Sequence, residues 1–394
     1  MGARVLFAAT PAWGHVYPVL AGLAELRRRG HRVRCLASRS FAPEVGGVVD
    51  VVGYDSPMDG AGAELSDMAG VLPLMLAEAR AAHAALDRAV REERPDVVVA
   101  DVLSMAGWLL GRAHDLPVVR TWPVFASNAE FSLHQDYGSR SDTDESMARF
   151  FADATGFLDE IGLSAEVSPE QLFDNAADRD IVLFPRALQP KGETFGPRFT
   201  FITPCIRPAE RSPELAWLRR SKPLAVVSLG TVFNENLGFF RTCVGGVRRL
   251  GWHCAAALGD KVAPHEVGPV SERVLLRARL PMLDALAHAS AAVSHGGLTS
   301  TIEALAQGVP VLVAPQIGEQ RAVADSVERL GLGVRLREPF TAGDLADLLQ
   351  RVAHDAGLAE RLRAFRHELR RGRSGGEFAD AVEVVLDGTT EGEG

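Results

Sequence analysis

Short apolar runs alternate with stretches of helical periodicity along almost the whole chain. The first run covers residues 5–9, and a second follows at residues 32–37. Between them one helical face carries only apolar side chains, those of Val16, Val19, Leu20, Leu23 and Leu26. Runs rich in β-branched residues fit strands buried on both faces of a parallel sheet, and the periodic stretches fit the helices that cover it. The alternation therefore predicts an α/β fold.

The pattern continues to residue 203 and starts again after an interruption. In the first half it predicts further strands at residues 97–100, 118–120, 181–184 and 199–203, with helices over 64–94 and 105–113. Residues 127–180 are more polar and less regular, which predicts helices and loops that overhang a site. In the second half it predicts strands at residues 224–228, 254–258, 274–277, 291–294 and 311–314, with helices at 237–250 and after residue 294. The second half thus repeats the architecture of the first.

Chain length also favours two domains, because 394 residues exceed what one hydrophobic core usually supports. A polar stretch with prolines and charges separates the two series of strands and is typical of a linker. We therefore predict a first domain over residues 1–205, a linker over 206–222 and a second domain over 223–375. Residues 376–394 contain a final helix and a tail, 387–394, whose composition cannot bury enough surface to stay ordered.

Composition argues against several classes of partner. The chain carries 42 basic and 51 acidic residues, a formal charge of −9, and no long basic tract, which argues against a nucleic acid. No apolar stretch approaches the ~18 residues of a membrane span, and the first ten residues do not form a secretory signal. The four cysteines lack the spacing of a zinc site and are expected to be reduced. We therefore expect a cytoplasmic protein, and a homodimer is compatible with the sequence.

The first residues that could carry chemistry follow the first strand. His15 lies at the start of the predicted helix, and this position places it in the cleft at the carboxyl ends of the strands. A histidine there can act as a general base, because its ordinary pKa is close to neutral pH. Asp101 follows the strand at 97–100 and could orient His15 at the same edge. The alternatives are a histidine that binds its own loop and an aspartate that caps the next helix.

A second constellation lies in the other half, where a strand, a glycine turn and a helix start follow one another. It consists of His295, Gly296, Gly297, Thr299, Ser300 and Glu303. Glycines let backbone N–H groups approach a ligand closely, and the positive end of a helix dipole favours a diphosphate. Glu303 lies one turn further along the same face, where a carboxylate can accept hydrogen bonds from ribose hydroxyls. Each residue alone has an ordinary structural explanation, but the combination favours anion binding.

Three other segments are candidate sites. Thr231 follows the first strand of the second half and either contacts a nucleotide or belongs to an ordinary turn. Glu319 and Gln320 offer acceptors and donors for sugar hydroxyls, or simply form an acidic helix N-terminus. Asp142-Thr143-Asp144 has the spacing that some sugar transferases use for a divalent metal, but in a polar loop it is better explained as solvated charge. No metal site is therefore expected.

In this order the signatures resemble the antibiotic and macrolide glycosyltransferases of the UDP-glycosyltransferase superfamily. The resemblance covers nearly the whole chain. It implies the GT-B fold, in which two Rossmann-like domains with parallel sheets face each other. It also implies that the helix within residues 376–394 crosses back to the first domain.

The resemblance assigns roles to the candidate residues. It implies that His15 is the base and that Asp101 holds it. It implies that residues 294–303, continued by Glu319 and Gln320, bind diphosphate, ribose and hexose in turn. Thr231 would contact the diphosphate or the nucleobase.

The expected reaction is a metal-independent, inverting transfer of a hexose from a UDP- or dTDP-sugar to a hydroxyl. No cofactor is expected besides this donor. Only one base is present and no second carboxylate is placed as a nucleophile, so we expect a direct displacement. The helix that starts near Thr299, with His295, would stabilise the leaving diphosphate as a metal does elsewhere. Many family members carry glutamine near the nucleobase where this chain has Met282, which leaves UDP and dTDP both open.

The acceptor is expected to be a small, apolar, hydroxylated natural product of the macrolide or polyketide type. Its contacts would come from the first domain, with Trp13, Phe125 and Phe131 as candidates, although these rings fit a core equally well. Two other functions stay open: a non-catalytic GT-B-like auxiliary or nucleotide-sugar-binding protein, and a nucleotide-sugar epimerase. The presence of both His15 and Asp101 argues against the first. An epimerase would convert or hydrolyse the donor without any acceptor.

Overall fold

The computed structural model describes residues 2–59, 68–138, 144–173, 177–206, 211–215, 222–230, 234–269 and 271–390. Thr231, Asp142 and Thr143, which the sequence singled out, lie outside these ranges. The described chain forms two sheets, and all the strand pairs recorded within them are parallel. Helices connect the strands and cover the sheets, so the α/β prediction is confirmed.

The first sheet places a topological switch point at its first strand. Its strands are β1 (Arg4–Ala8), β2 (Arg32–Ser38), β3 (Asp50–Tyr54), β4 (Val97–Asp101), β5 (Val118–Trp122), β6 (Arg179–Val182) and β7 (Phe199–Phe201). They lie in the order β3-β2-β1-β4-β5-β6-β7. Ligands bind outside the carboxyl ends of the strands where the order reverses, here between β1 and β4. Ala8 pairs with Ala100, so the residues that follow these two strands are neighbours.

The second sheet repeats this plan. Its strands are β8 (Leu224–Ser228), β9 (His253–Ala257), β10 (Val274–Arg277), β11 (Ala291–Ser294), β12 (Val311–Val313) and β13 (Gly333–Arg335). They lie in the order β10-β9-β8-β11-β12-β13, with the switch point between β8 and β11. Ser228 pairs with Ser294 at the carboxyl ends of these two strands. The glycine turn, residues 295–297, therefore lies at the switch point.

Helices follow most strands. In the first half they are α1 (Trp13–Val16), α2 (Leu20–Arg28), α3 (Ala42–Gly46), α4 (Met68–Glu92), α5 (Met105–His114), α6 (Leu133–Tyr137) and α7 (Asp144–Glu160). In the second half they are α8 (Leu237–Arg249), α9 (Pro264–Val267), α10 (Met282–Leu286), α11 (Leu298–Gln307), α12 (Gly318–Arg329), α13 (Ala342–His354), α14 (Ala356–Arg371) and α15 (Gly375–Thr390). Short 3-10 turns occur at Tyr17–Val19, Pro169–Leu172, Gly192–Thr194 and Pro213–Leu215. Across the described residues, none of the helices combines the length and apolar character needed to cross a membrane.

Two edge strands, β3 and β13, were not predicted. Asp50 and Gly53 interrupt the apolar run of β3, and β13 has only three residues, Gly333–Arg335. Both strands lie at the edge of a sheet, where only one neighbour stabilises them and where the sequence needs less apolar character. The other predicted strands agree with the structure within two residues at each end.

Alternate residues of β1 pack into different cores. Val5 and Phe7 belong to the core under α2 and α15, whereas Leu6 and Ala8 belong to the core under α4 and α5. This is the period of two expected for a strand covered on both faces. A third core surrounds the second sheet and continues into the first domain, where Phe184 belongs to it. The two domains therefore share apolar contacts.

The last helix, α15, packs on the first sheet although it follows the second in sequence. Phe378 is buried against α2, where a Cβ on Gly22 would lie only 2.3 Å from the ring. The Arg29 Nη1 atom lies 2.5 Å from Glu383 Oε2, and the backbone N–H of Thr203 donates to Glu377 at 2.7 Å. Helix α15 therefore ties the end of the chain to the first domain.

Shortening Phe378 tests this docking. Phe378→Ala should lower the free energy of unfolding by about 3–5 kcal/mol, because a buried ring is lost and a cavity remains. Urea unfolding followed by tryptophan fluorescence measures the change. Val384→Ala, on the same helix but 51% exposed, is the control and should change stability by less than about 0.5 kcal/mol. Equal effects of the two substitutions would contradict the packing of α15 on the first sheet.

Candidate functional site

His15 and Asp101 meet at the switch point of the first sheet. The His15 Nδ1 atom lies 3.0 and 2.9 Å from the two carboxylate oxygens of Asp101. A carboxylate only accepts hydrogen bonds, so the neutral ring carries its proton on Nδ1 and keeps a lone pair on Nε2. The Asp101 side chain is fully buried, and that of His15 is 13% exposed. This dyad therefore offers one basic nitrogen at the edge of the sheet.

Two further groups hold the Asp101 carboxylate. The Thr10 hydroxyl donates to Asp101 Oδ1 at 2.6 Å, and the backbone N–H of Leu103 donates to the same oxygen at 3.0 Å. Helix α5 is capped by Ser104, which accepts from Gly107 N at 3.4 Å, so Asp101 does not serve as its cap. Thr10 was not predicted from the sequence, although its place just beyond β1 was a signal that it faces the same edge.

Opposing influences act on the pKa of His15. Burial lowers this pKa, but the charge of Asp101, the hydrogen bond to it and the charge of Glu319 raise it, and the net result is a raised pKa. Burial also raises the pKa of Glu319, while nearby His15 opposes that shift. Glu319 belongs to α12 of the second domain, so His15 and Glu319 interact electrostatically across the two domains.

The glycine turn of the second domain closes around the imidazole of His295. Gly230 and Gly296 have φ values of +77° and +91°, which favour glycine. A Cβ on Gly230 would lie 2.6 Å from His295 Cε1, and one on Gly297 would lie 2.7 Å from His295 Nε2. Glycines are therefore needed here to admit the ring as well as to expose the backbone.

Helix α11 begins immediately after this turn. Its N-cap is Gly297, which has no side chain to accept from the first N–H groups. These groups and the helix dipole make the turn suitable for a diphosphate. Burial lowers the pKa of His295 to about 4, and a hydrogen bond from the ring to the backbone of Ser228 opposes the shift. His295 is therefore neutral near pH 7 and can act on an anion as an N–H donor, not as a cation.

The two half-sites face each other. A Cβ on Gly14 would lie 3.6 Å from Thr299 Oγ1, so helix α1, which carries His15, contacts the start of α11. Beside them α6 packs on α12: Arg321 Nη2 donates to the carbonyl of Tyr137 at 2.7 Å, and the Tyr137 hydroxyl donates to Asp325 at 3.1 Å. The structure thus brings together the histidine of one sheet and the glycine turn of the other.

The other residues predicted to contact the nucleotide-sugar donor differ in burial and in hydrogen bonding. Gln320 is buried, and its Oε1 accepts from the backbone of Gln316 at 2.7 Å and of Ile317 at 3.3 Å. Its oxygen therefore accepts hydrogen bonds at the N-terminus of α12, which is the structural alternative to binding sugar hydroxyls. Glu303 and Ser300 lie half-buried on α11. Thr231 lies outside the described residues, and the described part of the chain holds no group of three or more His, Cys, Asp or Glu that could bind a metal ion.

The three predicted acceptor contacts separate into one surface ring and two core rings. Trp13 is 37% exposed and packs on Tyr17 and Phe41, with ring centroids 4.9 and 4.3 Å away. Phe125 and Phe131 are 1% and 3% exposed, and both belong to the shared apolar core. For these two rings the structure favours the core alternative, because their surfaces are already covered by protein.

A small cavity lies beside the dyad in the first domain. Thr10 and Leu103, which hold Asp101, form one wall, and Met75, Glu78 and Met105 lie on the others. None of these residues was predicted as a contact from the sequence. They come from α4, the start of α5 and the segments after β1 and β4, and only the tertiary fold brings them together.

Known proteins share this organisation. Residues 255–383 match the family model described as the erythromycin biosynthesis protein CIII-like C-terminal domain. The chain is 33% identical to the demethyllactenocin mycarosyltransferase of Streptomyces fradiae over 98% of this chain and 87% of that protein. It is 30% identical to the NDP-glycosyltransferase YjiC of Bacillus subtilis strain 168, over 95% of this chain and 94% of that one. Among solved structures, the calicheamicin glycosyltransferase CalG4 superposes with a TM-score of 0.80, 32% identity and 98% coverage of both chains.

Titration of His15 tests the electrostatics of the dyad. In the wild-type protein the pKa of His15 should lie above the ordinary 6.5. Asp101→Asn should lower it by roughly 1–3 units, because the opposite charge is lost and burial then dominates. NMR of the imidazole signals against pH measures this, with His15→Gln to assign the ring. Asp96→Asn removes a carboxylate that instead binds Arg4 and should leave the His15 pKa unchanged. An unchanged value in Asp101→Asn would contradict the dyad.

Proposed function

The chain belongs to the antibiotic and macrolide glycosyltransferases of the UDP-glycosyltransferase superfamily, and on this basis we propose a metal-independent, inverting hexose transfer. Its two parallel sheets form the GT-B fold of that family. The donor in this proposal is a UDP- or dTDP-hexose. The acceptor is a hydroxyl of a small apolar natural product of the macrolide or polyketide type.

One observation carries the proposal. The dyad presents an unprotonated Nε2 on the first domain, and the uncapped start of α11 lies opposite on the second. A base that faces an anion-binding helix start is what sugar transfer from a nucleotide requires, because one partner must lose a proton while the other leaves as a diphosphate.

On the acceptor side, His15 Nε2 takes the proton of the attacking hydroxyl. The Asp101 carboxylate stabilises the imidazolium that forms and keeps the ring in the correct tautomer. Glu319 adds a second negative charge near the ring. The raised pKa makes His15 a stronger base. It also means that His15 is unprotonated, and able to act, only at a pH above that pKa.

On the donor side, the bond between the anomeric carbon and the diphosphate oxygen breaks as the bond to the acceptor oxygen forms. Attack from the face opposite the leaving group inverts the configuration. N–H groups at Gly297 and in the first turn of α11, with the hydroxyls of Thr299 and Ser300, receive the charge that grows on the diphosphate. His295 adds a neutral N–H donor, and Thr231 is assigned to the same group by the family resemblance.

Ribose and hexose contacts follow along the same edge. We assign Glu303 to the ribose hydroxyls and Glu319 to the hexose. Gln320 contributes only its amide N–H₂, because its oxygen is bound to the helix N-terminus. Trp13 is the aromatic ring that we retain as an acceptor contact. A cytoplasmic location is part of the same proposal and agrees with Cys35, Cys243 and Cys254, which are buried thiols.

Removing the base tests the central assignment. His15→Ala should lower kcat by about 10²–10⁴-fold, the usual contribution of a general base, while the protein remains folded. Transfer is read by mass spectrometry as a hexose-sized gain on an acceptor panel, with UDP- and dTDP-hexoses as donors. His265→Ala, an exposed histidine on α9, is the matched control and should retain full activity. A stable His15→Ala protein with wild-type kcat would refute the assignment.

A second substitution separates the two donor nucleotides. Glu303→Gln should raise the KM of a UDP-sugar by about ten- to a hundredfold, because hydrogen bonds to a charged group contribute roughly 1.5–3 kcal/mol. A dTDP-sugar lacks one ribose hydroxyl, so its KM should rise less. Glu319 is assigned to the hexose, so Glu319→Gln should raise the KM of both nucleotide sugars alike. The ribose assignment fails if Glu303→Gln raises both KM values equally.

A further inference from the structure

The small cavity beside the dyad contains a buried carboxylate. Glu78 of α4 lines the cavity and is only 9% exposed. The rest of the wall is mostly apolar, with Met58, Met75, Ala82 and Met105. Because Thr10, which donates to Asp101, lines the same cavity, a group bound there would lie next to the catalytic dyad.

Glu78 has two neutral hydrogen-bond donors. The Tyr54 hydroxyl donates to one of its oxygens, and the Ser56 hydroxyl donates to the other at 2.5 Å. In the described chain no Lys, Arg or His side chain forms an ion pair with it. A carboxylate has about four acceptor positions, so two remain for a ligand. A charge buried without a counter-ion is costly, and a cationic ligand would relieve that cost.

The surroundings of Glu78 are negative. Burial, followed by the charge of Glu78, raises the pKa of Tyr54, so this residue remains a neutral donor. Asp59 is close enough to raise the same pKa. Asp59 itself accepts hydrogen bonds from Ser38 and Ser40, which are neutral. Two carboxylates therefore lie at this end of the cavity, and among the described residues no Lys, Arg or His forms an ion pair with either of them.

We propose that this cavity is an acceptor subsite in which Glu78 binds a protonated amino group of the natural product. The inference rests on the proposed function, because it takes the cavity as part of the acceptor site. Methionine and alanine walls suit the alkyl carbons next to the amine, since methionine adapts its shape to apolar ligands. A hydroxyl could also donate to Glu78, but a charge-assisted hydrogen bond is roughly twice as strong as a neutral one.

Glu78 also has a structural role, because it links the segment after β3 to α4 through Tyr54 and Ser56. That role needs oxygens that accept hydrogen bonds and does not need a negative charge. Glu78→Gln keeps the side-chain volume and one accepting oxygen for Tyr54, and the Ser56 hydroxyl can accept from the new amide N–H₂, so the main loss is the charge. Tyr54→Phe does the reverse, because it removes one neutral contact and leaves the charge.

The test measures binding at the cavity without sugar transfer. The protein is labelled with ¹³C at its methionine methyl groups, and the signals of Met58, Met75 and Met105 are assigned by Met→Leu substitutions. It is then titrated near neutral pH with tyramine and with 4-ethylphenol, which has the same phenol ring without the amine. The cavity, about 30 Å³, has room for the amine and little more, so the ring of either ligand would lie at its opening. Tyramine should bind at least about tenfold more tightly, as expected for a hydrogen bond to a charged group. Both ligands should shift the three methyl signals.

The variants decide between the two roles of Glu78. Glu78→Gln should abolish the preference for tyramine, whereas Tyr54→Phe should retain it. Ala82→Leu fills the cavity and should weaken both ligands. Equal affinities in the wild-type protein, a preference that survives Glu78→Gln, or methyl signals that neither ligand moves would each overturn the subsite. Sugar transfer and its dependence on His15 would stand in all three cases, so failure here is distinct from failure of the proposed function.

Discussion

The structure of the site depends on one buried interaction, the hydrogen bond between His15 and Asp101. The carboxylate is inaccessible to solvent and is held by the Thr10 hydroxyl and a backbone N–H, so it keeps a fixed position under the imidazole. The interaction exists because β1 and β4 are adjacent and in register, which places residues 86 positions apart at one sheet edge. From it follow the tautomer of His15, its raised pKa and the direction of its free nitrogen.

The second domain complements the dyad with very little positive charge. Burial keeps His295 neutral, and the carboxylate of Glu319 lies near His15. In the proposed mechanism, binding of a diphosphate here relies on backbone N–H groups, hydroxyls and the dipole of α11. Such groups are fixed before the ligand arrives and need little reorganisation as charge moves to the leaving group. The contact of α6 with α12 and the return of α15 to the first sheet hold the two halves in the facing arrangement.

Local signals in the sequence were sufficient for every strand except β3 and β13, and for the positions of His15, Asp101 and the glycine turn. Each of these follows a buried strand, and the parallel topology assigns the strand ends to one edge. Edge strands such as β3 gave weaker signals because they need fewer apolar residues. Phe125 and Phe131 could not be separated from surface aromatics, because burial depends on which elements pack over them. Glu78 could not be predicted for a similar reason, because its burial and its hydroxyl donors, 22 and 24 residues away, depend on the tertiary fold.

The central claim is that His15 removes the acceptor proton, and the dependence of rate on acceptor acidity tests it most directly. A series of hydroxylated acceptors runs from an aliphatic alcohol to 4-nitrophenol, which is largely ionised at mildly alkaline pH. Base catalysis predicts that kcat of His15→Ala rises steeply with acidity and approaches the wild-type value for the ionised phenol, because no proton remains to be removed. The same fold loss for every acceptor would contradict a role for His15 as the base.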